Sequence, residues 1–199
     1  MSTLKPFTKD IILLENVAAV VENIIGQMRG DVLQRFKRNG AVVGISGGID
    51  SSVCFALAAK AFGPEKVLGV MLPEKDSSPD SEMLARELAA KFGIMAIKEE
   101  ITGALSGFGC YERRDEAVKR VFPEYDPASW KMKIGVRQSG LFSNLPPIFY
   151  LTIIDSDGNV KDKMLPARDY LQIVAASNFK QRTRMSMLFT MPRHCTMPL

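Results

Sequence analysis

Ala41-Val-Val-Gly-Ile-Ser-Gly-Gly-Ile-Asp-Ser-Ser-Val53 is the stretch on which the reading of this chain turns. The apolar, largely β-branched run Ala41 to Ile45 stops at Ser46-Gly47-Gly48, and helix-forming residues follow from Ser51 to Phe62. That order predicts a strand, a tight glycine turn and a helix. Such a turn aims backbone N–H groups and a helix N-terminus at an anion. The glycines let the backbone approach a phosphate with no Cβ in the way. Ser46, Ser51 and Ser52 offer hydroxyl donors, and the Asp50 carboxylate suits a Mg²⁺ ion bridging phosphate oxygens. Glycines and a capping serine also serve an ordinary βα turn, but the whole string behind a strand outlines a nucleotide site.

Working outward, the commoner phosphate loops do not fit. A Gly-x4-Gly-Lys-Ser/Thr loop needs a lysine that does not follow Gly48. A Gly-x-Gly-x-x-Gly fingerprint needs a spacing that Gly44, Gly47 and Gly48 lack. Downstream, Lys66 to Leu72 reads as a second strand, Pro73 to Asp80 as a polar loop, and Ser81 to Phe92 as a helix burying Met83, Leu84, Leu88 and Phe92. Ile94 to Lys98 is a third short strand. Alternating strands and helices predict right-handed crossovers and a parallel sheet covered on both faces. Ligands of such sheets sit at the carboxyl ends of the strands, which puts the Ser46 loop and the Leu72-Pro73 loop on one rim. Upstream, apolar Leu13, Val17, Val20, Ile24, Met28, Val32 and Phe36 predict one long amphipathic helix from Asp10 to Asn39, with Gly26 and Gly30 as kink points.

From Thr102 to Leu165 the pattern changes. Tyr111 to Arg120 reads as a charged surface helix and Val121 to Pro127 as a loop. Ile148 to Ile154 and Val160 to Leu165 flank Asp155-Ser-Asp-Gly-Asn159, a hairpin signal, and Trp130 to Ile134 offers a third strand. The segment is thus an antiparallel insertion. Ala167 to Leu188 returns to helix. There Asn178, Arg182 and Met185 share a face, and Lys180, Arg182 and Arg184 suit an anionic ligand, with a solvated basic face as the alternative.

Bulk properties agree with a single domain with a real core. The 199 residues are 46% apolar and 24% charged, and chains of this length bury roughly 70% of their unfolded surface. A net charge of +4 suits an anionic small substrate and gives no argument for nucleic acid. Cys54, Cys110 and Cys195 are scattered with no paired spacing, which fits a reducing cytosol. No apolar run is long enough for a membrane span, so the expectation is a cytoplasmic protein with no membrane partner.

These residues carry a specific resemblance. Ser46-Gly-Gly-Ile-Asp-Ser-Ser52 resembles the pyrophosphate loop of N-type ATP pyrophosphatases. With Leu72-Pro73 and Asn178-Phe-Lys-Gln-Arg-Thr-Arg-Met185, the chain is similar to ammonia-dependent NAD synthases. The loop alone also admits other N-type adenylating enzymes, such as amidotransferases and tRNA-modifying proteins, or a non-catalytic nucleotide-binding fragment. The resemblance implies an α/β, Rossmann-like parallel sheet of the adenine-nucleotide-hydrolase type with an antiparallel insertion. It implies ATP held by Gly44, Ile45, Ser46, Gly47, Gly48, Ile49, Asp50, Ser51 and Leu72, with Leu72 at the adenine. Asp50 becomes the catalytic and Mg²⁺-binding carboxylate, and Asn178 and Arg182 contact deamido-NAD. Ammonia is the second substrate, and family members are usually homodimers with deamido-NAD at the subunit interface.

The chain departs from the family after Met185. There the family continues to Gly-Thr-x-Asn-x-x-Glu, Gly-Asp-Gly and a lysine-bearing loop, none of which stands in residues 189–199. Residues 1–188 then form a partial NAD synthase-like domain with an insertion at 102–165, the fold being incomplete at its C-terminus and the chain nearly inactive. The tail reads as a frameshift. Moving the frame back one base, each Met-Pro pair must give Ala and His194-Cys195 must give Leu. The run then permits Tyr-His-Ala-Glu-Ala-Leu-His-Tyr-Ala, which resembles the family helix at this place. His194 and Cys195 lack a second ligand pair at zinc-site spacing.

Overall fold

The computed structural model describes residues 13–137 and 148–191, and the described residues divide into two units, 13–100 with 190–191, and 101–137 with 148–189. In the first unit, β1 (Ala41–Gly44), β2 (Val67–Met71) and β3 (Met95–Lys98) form a parallel sheet in that order. The register pairs Gly44 with Val70 and Met71 with Lys98, so all three carboxyl ends share one rim. Two right-handed crossovers taken in the same direction place α2 (Ile49–Phe62) and α3 (Pro79–Phe92) on one face of the sheet. Phe55, Ala58, Ala61 and Phe62 of α2 and Ala85 and Ala89 of α3 build a core there with Ile45, Val67 and Met71. Leu68 and Val70, which point to the opposite face, are buried as well. Every residue of β2 is buried, as expected for a central parallel strand.

The first helix corrects its expected pattern. α1 (Val17–Arg29) begins at Asn16, whose side chain accepts the Ala19 N–H, and at Gly30 it passes into a π-helical turn, Gly30–Arg35. Its core-facing residues are Val21, Ile25, Met28 and Val32, while Val17, Val20, Ile24 and Phe36 are exposed. Two stripes at steps of three and four run along this segment, and the second of them packs. Residues 10–12 of the expected helix lie outside the described residues.

At the end of α1, Arg29 reaches the C-terminus of α2. Its Nε donates to the Ala61 carbonyl at 2.8 Å and its Nη2 to the Lys60 carbonyl at 3.0 Å. A cation on the last carbonyls of a helix satisfies orphan acceptors and opposes the dipole. Arg29→Ala is expected to lower stability by about 1 kcal/mol, below the usual range for charged hydrogen bonds because the side chain is largely solvated. A shifted urea midpoint at unchanged slope checks it.

α3 differs from expectation in its buried side. Met83 and Leu84 are exposed, while Ala85 and Ala89 turn inward with Leu88 and Phe92 partly covered. Small residues on that face let the helix axis lie close to its neighbours.

The second unit holds α4 (Thr102–Gly107), α5 (Cys110–Val121), an antiparallel sheet of β4 (Lys131–Arg137), β5 (Ile148–Ile154) and β6 (Val160–Met164), and α6 (Ala167–Thr190). The expected antiparallel insertion is therefore present. Its β5–β6 turn is tied by Asp155, whose carboxylate accepts the Asp157 and Asn159 N–H groups and the Asn159 side-chain amide. Those donors hold Asp155 below the usual carboxylate range. The core combines Ala117, Val118 and Phe122 of α5 and its end, Leu151 and Ile153 of β5, Leu165, and Ile173 of α6. α5 is not the surface helix expected from its charges, because Tyr111, Arg114, Asp115, Ala117 and Val118 are all buried. Arg114 is buried with Asp115 through a 2.8 Å hydrogen bond. No described helix is long and apolar enough to cross a membrane.

Candidate nucleotide site

The Ser46 loop leaves β1 at Gly44, after a last ladder bond from the Ile45 N–H to the Val70 carbonyl at 2.9 Å. Ile45 is buried, and from Ser46 the backbone turns outward into α2 through Gly47 at φ +75°. Four groups then close a ring. The Gly48 N–H donates to Ser46 Oγ at 3.4 Å, and the two hydroxyls of Ser46 and Ser51 are 3.1 Å apart. Ser51 Oγ donates to the Gly48 carbonyl at 2.9 Å. A hydroxyl has one proton, so Ser51, having given its own to Gly48, must accept from Ser46. Ser52 also donates to the Gly48 carbonyl, at 2.8 Å.

The serines thus bond within the loop. Their hydroxyl protons are turned into the loop, which they stiffen. The donors left facing outward belong to the backbone, since Gly48 caps α2 with no side-chain hydrogen bond. An uncapped helix N-terminus behind a stiff turn is an anion site made of N–H groups. Asp50 is exposed in the first turn of α2.

The Leu72-Pro73 loop occupies the same rim, following β2 as the Ser46 loop follows β1. Leu72 itself is buried. Lys98, ending β3, adds charge to that rim. Its ammonium lies 2.6 Å from Glu82, which also pairs with Arg86 at 2.8 Å. The bond from Lys98, then that from Arg86, holds the Glu82 carboxyl below its usual range.

A cleft of about 260 Å³ opens between α2 and α3, lined by Gly47, Ser52, Leu84, Glu87, Leu88 and Lys91. The four α3 residues were not among the sequence candidates. The Ser78-Pro79 start of α3, a capping serine ahead of a first-turn proline, is the one signal that sets which α3 residues follow the loop.

Asn178 and Arg182 are in the second unit, one helical turn apart and both exposed on α6. Met185 is exposed beside them. The basic cluster does not act as one group: Lys180 lies 5.1 Å above the Tyr111 ring, and Arg184 is partly buried. His194 and Cys195 lie outside the described residues, as does 192–199 of the tail. Phe189 and Thr190 belong to the last turn of α6, two residues past its expected end.

A parallel sheet whose first strand delivers a Ser-Gly-Gly-x-Asp-Ser loop to a helix N-terminus is the adenine-nucleotide-hydrolase fold of the N-type ATP pyrophosphatases. The sequence profile of the NAD synthase family matches residues 20–134, and the chain belongs to that family. Over 166 residues it is 47% identical to an NH(3)-dependent NAD(+) synthetase of Mesorhizobium japonicum, covering 83% of this chain and 51% of the relative. Over 172 residues it is 42% identical to that of Rhizobium rhizogenes, covering 86% and 51%. The chain thus spans about half the length of the curated relatives it matches. A solved NH3-dependent NAD synthetase of Campylobacter jejuni shares the fold at a TM-score of 0.52 and 18% identity, covering 88% of this chain and 52% of that one.

Proposed function

We propose that this protein carries the ATP-handling part of an ammonia-dependent NAD synthase, the enzyme that amidates deamido-NAD to NAD with release of AMP and pyrophosphate. The observation behind it is the stiff Ser46–Ser51 ring in front of the bare N-terminus of α2. Family membership and the relatives' activity select the substrates. A carboxylate is a poor acyl electrophile until it has a good leaving group. The nicotinate oxygen attacks the α-phosphorus of ATP, the bond to the β-phosphate bridge breaks, and pyrophosphate leaves. Ammonia then adds at the acyl carbon, AMP leaves, and a proton is released as the amide forms. The N–H groups of Gly47 and of Ile49 to Ser51 hold the departing phosphates, and Gly44, Ile45 and Leu72 shape the rim that receives the nucleoside. Asn178 and Arg182 bind the dinucleotide.

Asp50 is the residue that would hold Mg²⁺. Among the described residues no three His, Cys, Asp or Glu side chains converge as metal ligands. One carboxylate plus phosphate oxygens and water is a usual Mg²⁺ set, so the donors present fit. The ion would neutralise charge on the phosphates as they separate. In the reading advanced here the protein works in the cytosol, in keeping with Cys54 and Cys110, which form no disulfide among the described residues. A subunit interface would use the exposed face of α6, where Leu171, Met185 and Phe189 flank Asn178 and Arg182.

Asp50→Asn tests the site. By calorimetry on this chain, the mutant is expected to bind ATP about tenfold more weakly with Mg²⁺ present and nearly as wild type without it. Equal loss in both conditions would remove Asp50 from the metal. Turnover is tested with ATP, ammonia and deamido-NAD, where release of ADP in place of AMP, or indifference to deamido-NAD, overturns the proposal.

A further inference from the structure

The 102–165 segment plays no part in the chemistry above, yet it makes most of the contacts that hold α6 within the second unit. We propose that it is a saddle that sets the rotation and axial position of α6, and that Arg120, with Asp169 and Gln172, is a positioning residue for Asn178 and Arg182. This rests on the reading of those two residues as dinucleotide contacts.

The contacts fall on one side of the helix. Arg120 Nε donates to Asp169 Oδ1 at 2.7 Å and its Nη2 donates to Gln172 Oε1, while Gln172 Nε2 donates to the Arg113 carbonyl. Tyr170 stacks on Phe149 with centroids 3.9 Å apart, and Ile173 enters the core. The Cys110 thiol points at the Ala176 carbonyl at 3.5 Å. Phe179 meets the Phe108 ring at 5.3 Å, and Lys180 lies over Tyr111. At about 100° per residue, Asp169, Ile173, Ala176 and Lys180 centre on one face. Asn178 and Arg182 centre roughly 180° away. Both of them are exposed.

Apolar contacts alone resist separation better than they resist sliding. A guanidinium that bonds Asp169 and Gln172 at once spans a turn of α6 and fixes both its rotation and its height. Asp169 is 6% exposed, so the pair is shielded enough for its geometry to count. A binding side chain displaced by an ångström loses much of its value. The far face of α6 therefore depends on the near one.

The test is calorimetric titration of the chain with nicotinic acid adenine dinucleotide and, separately, with ATP. Arg120→Ala is expected to weaken dinucleotide binding about tenfold and to leave ATP within about twofold, and Arg120→Lys, which can reach Asp169 but not both partners, to fall between. Gln172→Leu, which keeps the ion pair, is the variant that decides if Arg120→Ala does not fold, and about a threefold loss is expected. Folded Arg120 and Gln172 variants that bind the dinucleotide as wild type overturn the saddle, and so does an equal loss for ATP. Asn178→Ala separates the two levels. If wild type binds no dinucleotide, or Asn178→Ala binds it unchanged, the functional reading itself fails and the saddle falls with it.

Discussion

Gly47→Ala is expected to weaken ATP binding by about 100-fold, while Gly48→Ala costs no more than about threefold. The two glycines are neighbours, yet their surroundings differ. Gly47 sits at φ +75°, a left-handed conformation that costs a residue with a Cβ roughly 1–2 kcal/mol. An added Cβ would also stand 2.7 Å from the Ser81 carbonyl oxygen and 3.1 Å from Leu84 Cβ. Ser81 is in the first turn of α3, so the clash is with backbone that cannot swing aside. The turn must open. With it go the Gly48–Ser46–Ser51 ring and the aim of the N–H groups in front of α2. Gly48 has φ −80°, and its nearest contact for a Cβ would be Ser46 Oγ at 3.4 Å, an ordinary distance. Calorimetry of both variants, with circular dichroism to confirm folding, decides the matter. Equal affinities would mean that the turn is not what orients the phosphate donors.

Phe55→Ala should be the most damaging core substitution in the first unit, lowering stability by about 3–5 kcal/mol. Phe55 is fully buried on the face of α2 turned to the sheet. Its ring meets Phe92 edge-on at 6.4 Å and lies against Gly69 of β2, where a Cβ would be 3.1 Å from two ring atoms. The absence of a side chain at Gly69 is what lets the ring reach the strand. Truncation leaves a cavity that neither neighbour can fill. Set against a usual total of about 5–15 kcal/mol, the loss is large enough to populate unfolded protein at room temperature. Urea unfolding followed by circular dichroism measures it, and a change below about 1 kcal/mol would show that α2 is held by other contacts.

The strand–loop–helix at residues 41–62 was legible because its signals are abrupt: an apolar run, two glycines and a helical stretch with nothing ambiguous between. The hairpin at Asp155 was legible for the same reason. Stripes were harder. In α1 both Val17-Val20-Ile24 and Val21-Ile25-Met28 satisfy helical spacing, and periodicity cannot say which of them meets the core. In α3 the core side is made of alanines, which carry too little hydrophobic weight to mark a face. In α5 the charges of Arg114 and Asp115 read as solvent-facing, since a buried pair of adjacent residues has no distinctive spacing. Within the site, the loop could be read but not the direction of its hydroxyl protons, which depends on Ser51 folding back on Gly48. The walls of the cleft, Glu87 and Lys91 among them, belong to no motif.

The attachment of α6 has a mechanical consequence. The contacts described above hold one face of α6, and Asn178 and Arg182 lie together on the opposite one. Turning the helix by about 10° about its own axis carries side-chain ends at a radius of about 6 Å sideways by roughly 1 Å, equally for Asn178 and Arg182. The two groups thus turn on one spindle, so an error in its angle is shared by both and whatever they grip would lose both holds together.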